Sequence, residues 1–265
     1  MLSIGITTFK RRLDLVKNLI TQIRSFDENI DILITINADN EEAFDEKYRK
    51  SLLEFLTTVK NTYPIFFPSF TGLSKMWNTL IVHSPTDHIL VLNDDIRFEN
   101  SQIIPSIKSA ITAIKQDIDP AKELLILNNS WSHFVISKQI AHKLKYFDER
   151  LIAFGEEDGD MYWRFINTFK AFPSQISIDG ISNISEGRDI CASNIETTML
   201  CGTQRPIFNT KFIYDYKYKK SFLGIKGMFN YTSKCISKTV QQYPYEKFKR
   251  DNKHNIKNFK EITKD

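Results

Sequence analysis

Apolar positions in the first hundred residues follow two rhythms in turn. The run LSIGITTF (2–9) is short, β-branched and closed by Lys10, Arg11 and Arg12, which predicts a buried strand ending in a polar turn. Leu13, Val16, Leu19, Ile20 and Ile23 then recur at helical spacing. DILITIN (31–37) predicts a second strand, broken at Ala38, Asp39 and Asn40. Phe44, Tyr48, Leu52, Phe55 and Leu56 stripe a helix within 41–60, YPIFFPS is a short strand closed at Pro68, and GLSKMWNTLIVHS reads as a helix starting after Gly72. HILVLNDDIRF (88–98) is the clearest strand, its apolar run ending abruptly at Asn93, Asp94 and Asp95.

The second hundred residues continue the alternation. A helix is expected around 101–117, LLILNNS and HFVISKQIAHKL read as strand elements leading into a short helix, and the segment from Phe147 passes from a turn into a helix that buries Phe165 and Ile166. QISIDGISNI (175–184) is one more strand-like stretch. Strand–helix alternation at this spacing predicts an α/β domain over 1–210, a Rossmann-like, mostly parallel central sheet flanked by helices. Its halves divide at about residue 100. From about residue 210 the texture turns Lys-rich, aromatic, and helical or irregular, marking 211–265 as a C-terminal appendage.

Composition sharpens this outline in two places. With 265 residues, 42% hydrophobic and 26% charged, the chain can build one large core and is not a disordered one. The net charge of +4 is uneven: residues 211–265 carry 14 Lys or Arg against 5 Asp or Glu, so the first 210 are net acidic. A basic tail of this kind either meets an anionic surface, docks on the acidic body or stays solvated. Cys191, Cys201 and Cys235 have no zinc-site or disulfide spacing. No leader pattern and no apolar run of about 18 residues is visible, so a cytoplasmic location is expected, with membrane association on the cytoplasmic face left open.

Two acidic groups are the candidate chemistry. Asp94 and Asp95 end a strand, where open α/β sheets bind ligands, and adjacent carboxylates there suit a divalent cation shared with phosphate oxygens. They suit a turn or a helix cap as well. The denser group is Glu156, Glu157, Asp158 and Asp160, with Asp160 and Arg164 at the four-residue spacing of a helical ion pair. Acids also favour a helix start for its exposed amides alone.

Taken in order, these blocks resemble the nucleotide-sugar glycosyltransferases of the GT-A fold, particularly the broad family 2 type and its bacterial polysaccharide-building relatives. LSIGITTFKR looks like the first strand and loop that receive the nucleotide base, FTGLSKMWNTL like the glycine-containing block ending at Asn78, and LVLNDDIRF like the metal-binding acidic motif. FGEEDGDMYWR matches the Glu-Asp-x-Asp-x-x-x-Arg pattern at Glu157, Asp158, Asp160 and Arg164. The resemblance covers roughly residues 1–185. It departs at Asn93, which stands in the first position of an acid-x-acid motif, and it lacks the late histidine of some members, whose place Ser182 or Asn183 is offered to fill.

The resemblance implies a transferase that moves sugar from a nucleoside diphosphate sugar to a hydroxyl of a glycan or lipid-linked acceptor, with inversion. It implies Mn2+ or Mg2+ on Asp95, with Thr7, Thr8, Phe9, Arg11, Asp39, Asn78, Asn93 and Asp94 toward the donor. Asp158, then Glu157, is the acceptor-activating base. Trp131, His133, Glu156, Asp160 and Arg164 fall on the acceptor side, and YDYKYKK in the tail suits peripheral membrane contact. Three rivals stand beside this reading: a metal-dependent nucleotidyl- or phosphoryl-transfer enzyme, a non-catalytic scaffold, and a nucleic-acid-binding module, the last disfavoured because the best sites are acidic.

Overall fold

A computed structural model of the chain describes residues 1–9, 12–38, 46–67, 71–116, 120–151 and 156–184, together with the strands at 218–220 and 231–235. Its centre is a seven-stranded sheet built from β1 (Leu2–Phe9), β2 (Ile32–Asn37), β3 (Thr62–Phe66), β4 (His88–Asn93), β6 (Leu124–Leu127), β7 (His133–Ser137) and β8 (Ser174–Ile176), in the order β3-β2-β1-β4-β7-β6-β8. β3, β2, β1 and β4 run parallel, β7 runs against both β4 and β6, and β8 is parallel to β6. The mostly parallel sheet expected from the alternation is present, with β7 as its one reversal.

Side-chain parity assigns the helices to the two faces. Ile4, Ile6, Ile34, Leu90, Leu92 and Val135 pack in one core with Val16, Leu19, Ile20 and Ile23 of α1 (Leu13–Phe26), Leu52 of α2 (Glu46–Leu56) and Ile107 of α4 (Ile103–Gln116). Leu33, Ile89, Val91, Ile126, Phe134 and Ile136 point the other way. They meet Trp77, Leu80 and Ile81 of α3 (Leu73–His83), Ile140 of α5 (Lys138–Lys143), and Met161 and Phe165 of α6 (Glu157–Phe169). Gly5 sits close beneath α3 and β4: a Cβ there would stand 2.9 Å from Ile89 Cδ1 and 3.0 Å from Leu80 Cδ1.

Two sequence expectations change. The 88–98 run is two strands, β4 and β5 (Ile96–Phe98), because the chain turns at Asp94 and Asp95. QISIDGISNI also divides: Ile176 ends β8, and β9 (Ile181–Asn183) pairs antiparallel with β5, Asn183 opposite Ile96. Gly180 makes that division possible at φ 79, with Asn100 so close that a Cβ would meet its side chain at 2.1 Å. Within 211–265, Tyr218–Lys220 and Tyr231–Cys235 form an antiparallel ribbon where helix or irregular chain was expected. Among the described residues no helix is long and apolar enough to cross a membrane.

Candidate functional site

The strand order reverses direction on either side of β1, so the crevice at the carboxyl ends of β1 and β4 is the topological switch point where such sheets take ligands. Thr7 of β1 lies opposite Asn93 of β4. α1 follows β1 while α3 leads into β4 and α6 into β8, so the N-terminal ends of all three helices stand at this same edge. Exposed amides and aligned helix dipoles there favour an anionic ligand.

Asn93, Asp94 and Asp95 divide between the two faces. Asn93 accepts from Thr7 Oγ1 at 3.2 Å on the side of α3 and α6. Asp94, 1% exposed, turns toward α1: Oδ2 accepts from Thr8 Oγ1 at 2.7 Å and Oδ1 from Arg12 Nη1 at 2.6 Å. Arg12 Nη2 reaches Asp95 Oδ2 at 3.3 Å. Arg12, expected in a polar turn, is thus a buried counter-cation at the start of α1. Two like charges on consecutive residues are tolerable because this guanidinium sits between them. Oδ1 of Asp95 is buried and accepts no hydrogen bond among the described residues.

β7 begins at this edge because it runs antiparallel, with His133 opposite Leu92. The backbone laces the neighbourhood together: Asn93 N–H donates to Ser132 O at 2.9 Å and Ile184 N–H to Asp95 O at 2.7 Å. Ser132 Oγ donates to Asn183 Oδ1 at 2.8 Å and stands 3.1 Å from His133 Nδ1. Burial holds the His133 imidazolium down to a pKa of about 4, against the opposing pull of the Asp95 charge and of Asn183. His133 and Trp131, expected together in an acceptor pocket, part company. His133 shares the Leu92 side of the sheet, whereas Trp131 packs on Phe134 and Phe147 with ring centroids at 5.3 and 6.4 Å.

The α6 acids occupy graded environments. Glu156 enters the helix at φ 72, a left-handed conformation unusual for a residue with a Cβ. Glu157 is 2% exposed, and Asp158 is half-buried with Oδ1 accepting the Gly159 N–H at 2.8 Å. Asp160 and Arg164 form the ion pair their spacing predicts, Nε to Oδ2 at 2.8 Å. Arg164 Nη1 also donates to the carbonyls of Leu144 and Tyr146, so its visible bonds hold the chain between α5 and α6.

Asn78, expected toward the donor, is 5% exposed and clasps Phe147, accepting from its N–H at 2.8 Å and donating to its carbonyl at 2.9 Å, with Glu149 Oε1 at 3.0 Å. Arg11 and Asp39 lie outside the described residues. Arg12 and Ser132 are the site neighbours that sequence reasoning did not select for these roles; the antiparallel entry of β7 brings Ser132 there, and the β5–β9 pairing brings Asn183, which the resemblance had offered for this neighbourhood.

The implied divalent cation has a limited set of protein donors. Among the described residues no three His, Cys, Asp or Glu form a group able to hold a metal ion. Both Asp94 oxygens are engaged, leaving Asp95 Oδ1. One carboxylate oxygen fits a cation that takes its other ligands from substrate phosphates and water, and does not fit an all-protein cage.

The sequence matches no protein-family profile and no curated relative. Solved structures do match. S. aureus TarS aligns over 72% of this chain and 38% of its own, at 10% identity and a TM-score of 0.53. TarS 1–349 in complex with UDP aligns over 74% and 63%, at 11% identity and a TM-score of 0.51. The mannosyltransferase PcManGT from Pyrobaculum calidifontis, in complex with GDP-Man and Mn2+, aligns over 75% and 61%, at 9% identity and a TM-score of 0.54. The chain therefore spans from about two fifths to just under two thirds of these proteins' lengths. At such identities the likeness is one of fold: the chain has the GT-A fold of glycosyltransferases.

Proposed function

We propose that the chain is a glycosyltransferase that moves a sugar from a nucleoside diphosphate sugar to a hydroxyl of a glycan or lipid-linked acceptor, with inversion. The observation that carries the reading is the β1–β4 edge. There Thr7, Asn93 and a buried Asp95 oxygen meet three helix N-terminal ends, in a fold shared with proteins solved with UDP and with GDP-Man and Mn2+. Asp95 would hold the divalent cation, which supplies positive charge against a diphosphate. Arg12 fixes the acidic pair in place.

Asp158 is the base. It accepts the proton of the acceptor hydroxyl as that oxygen bonds to the anomeric carbon and the nucleoside diphosphate leaves from the opposite face. Half-burial leaves its carboxylate within reach of an acceptor, whereas Glu157 is enclosed. Asn78, Asp160 and Arg164 hold the chain on either side of this acid. The basic, aromatic composition of 211–265 suits an anionic membrane surface that carries a lipid-linked acceptor.

The reading is tested by incubating the protein with uridine, guanosine, cytidine and thymidine diphosphate sugars, Mn2+ and a panel of glycan and lipid-linked acceptors. Acceptor-dependent release of one nucleoside diphosphate with sugar incorporation supports it. Release of pyrophosphate from a nucleoside triphosphate, with no sugar transferred, refutes it.

A further inference from the structure

The segment Asn93–Asp95 hangs from two backbone bonds, one at each end. Asn93 N–H donates to Ser132 O at 2.9 Å, and Ile184 N–H donates to Asp95 O at 2.7 Å. Ser132 belongs to the turn between β6 and β7, residues 128–132, and Ile184 directly follows β9. β9 reaches that place by pairing with β5, Ile181 opposite Phe98 and Asn183 opposite Ile96. Three residues of two-stranded pairing are a weak hold, so what else fixes β9 decides how firmly Asp95 is held.

The β6–β7 turn supplies the rest. The ladder of β6 with β8 ends at Leu127 opposite Ile176, and Asn128 extends it with its own N–H on Ile176 O at 2.9 Å. Beyond that point its side chain stands in for the backbone. Asn128 Nδ2 donates to Ile178 O and to Ile181 O, both at 2.9 Å, and Oδ1 accepts the Ile178 N–H at 2.7 Å. Both amide protons and the amide oxygen are thus engaged with the loop that leads into β9. The residue stands at φ 47, a left-handed conformation that asparagine tolerates better than most residues with a Cβ. At the other end of β9, Ser132 Oγ lies 2.8 Å from Asn183 Oδ1. Asn129, next in the turn and left-handed at φ 55, makes no side-chain hydrogen bond among the described residues.

We propose that Asn128 is a positioning residue for Asp95: its amide fixes the loop before β9, and β9 fixes the Asp95 carbonyl through Ile184. This role rests on Asp95 being the protein ligand of the divalent cation. Asn128 is itself exposed, so its amide can be removed without opening a hole in the core. With the loop released, β9 keeps only its pairing with β5 and its contact with Ser132. The Asp95 carboxylate is then held less narrowly, and cation affinity falls as it does when a supporting residue behind a metal ligand is lost.

The test is electron paramagnetic resonance titration of Mn2+ into the full chain with UDP and, separately, with GDP, alongside amide hydrogen exchange of the metal-free protein. Asn128→Gly tolerates the left-handed backbone and removes the amide. It is expected to weaken Mn2+ binding about ten-fold and to speed exchange at Ile178 and Ile184, with β1 and β4 as protected as before. Asn128→Asp, which can still accept the Ile178 N–H, should fall between the two. Asn129→Gly, the control in the same turn, should change neither readout. Wild-type Mn2+ affinity in Asn128→Gly, or an equal loss in Asn129→Gly, overturns the positioning role and leaves the Asp95 site standing. Weaker binding accompanied by faster exchange throughout β1 and β4 is general loosening and overturns it as well. No bound Mn2+ in the wild type with either nucleotide overturns the Asp95 assignment and the positioning role with it. If Asn128→Gly fails to fold, Asn128→Asp against Asn129→Gly decides the point.

Discussion

Arg12 Nη1 lies 2.6 Å from Asp94 Oδ1, and neither side chain is more than 8% exposed. The pair joins the start of α1 to the end of β4 and sets the charge of the site before any ligand arrives. Breaking such a buried pair leaves a charge uncompensated. Arg12→Met and Asp94→Ala should each lower stability by about 3–5 kcal/mol in urea unfolding. The double variant should lose less than the sum; strictly additive losses would show that the two groups are not coupled.

Asn78 spans 69 residues of sequence to fasten Phe147. Asn78→Ala leaves the Phe147 N–H and carbonyl to find other partners, at about 1–3 kcal/mol for each buried group left unsatisfied. Since this clasp precedes α6, turnover should fall further than the melting temperature alone explains. Steady-state kinetics well below the melting transition check this. Asn78→Asp, which keeps the bond from the Phe147 N–H, should fall between the two.

Gly5 has no room for a methyl group. Gly5→Ala places a Cβ at 2.9 Å from Ile89 and forces either that residue or Leu80 to shift. Overpacking of this kind costs about 1–3 kcal/mol, read as a lower denaturation midpoint with an unchanged m-value.

Asp158→Asn should reduce kcat by about 10²–10⁴-fold while donor binding measured by calorimetry stays within about two-fold. Glu157→Gln should affect turnover less, because that side chain is enclosed. A deeper loss in Glu157→Gln than in Asp158→Asn would exchange the two roles.

How much of this was legible in the sequence depended on the range of the interactions. Strands such as 2–9 and the stripe of α1 are visible because burial on one side imposes a period on neighbouring residues. The Asp160–Arg164 pair is visible because it closes within one helical turn. The clasp of Asn78 on Phe147 was not legible because its partner is fixed by how α3 packs against the chain before α6, which no local pattern encodes. Arg12 read as surface for the same reason: its burial depends on β4, more than eighty residues away. His133 was separated from Trp131 by the antiparallel entry of β7, a property of sheet order and not of composition. The tail's basic, aromatic pattern falls largely outside the described residues.

The central claim is that the β1–β4 edge binds a nucleoside diphosphate sugar through Asp95 and a divalent cation. Isothermal titration calorimetry of uridine, guanosine, cytidine and thymidine diphosphate sugars, with Mn2+ and with chelator, tests it most directly. The account predicts that one nucleotide class binds with Mn2+, that chelation weakens it by at least ten-fold, and that Asp95→Asn binds the same with and without the metal. Binding in Asp95→Asn that still strengthens with Mn2+ as in the wild type, or no binding of any nucleotide sugar to the folded protein, would contradict it.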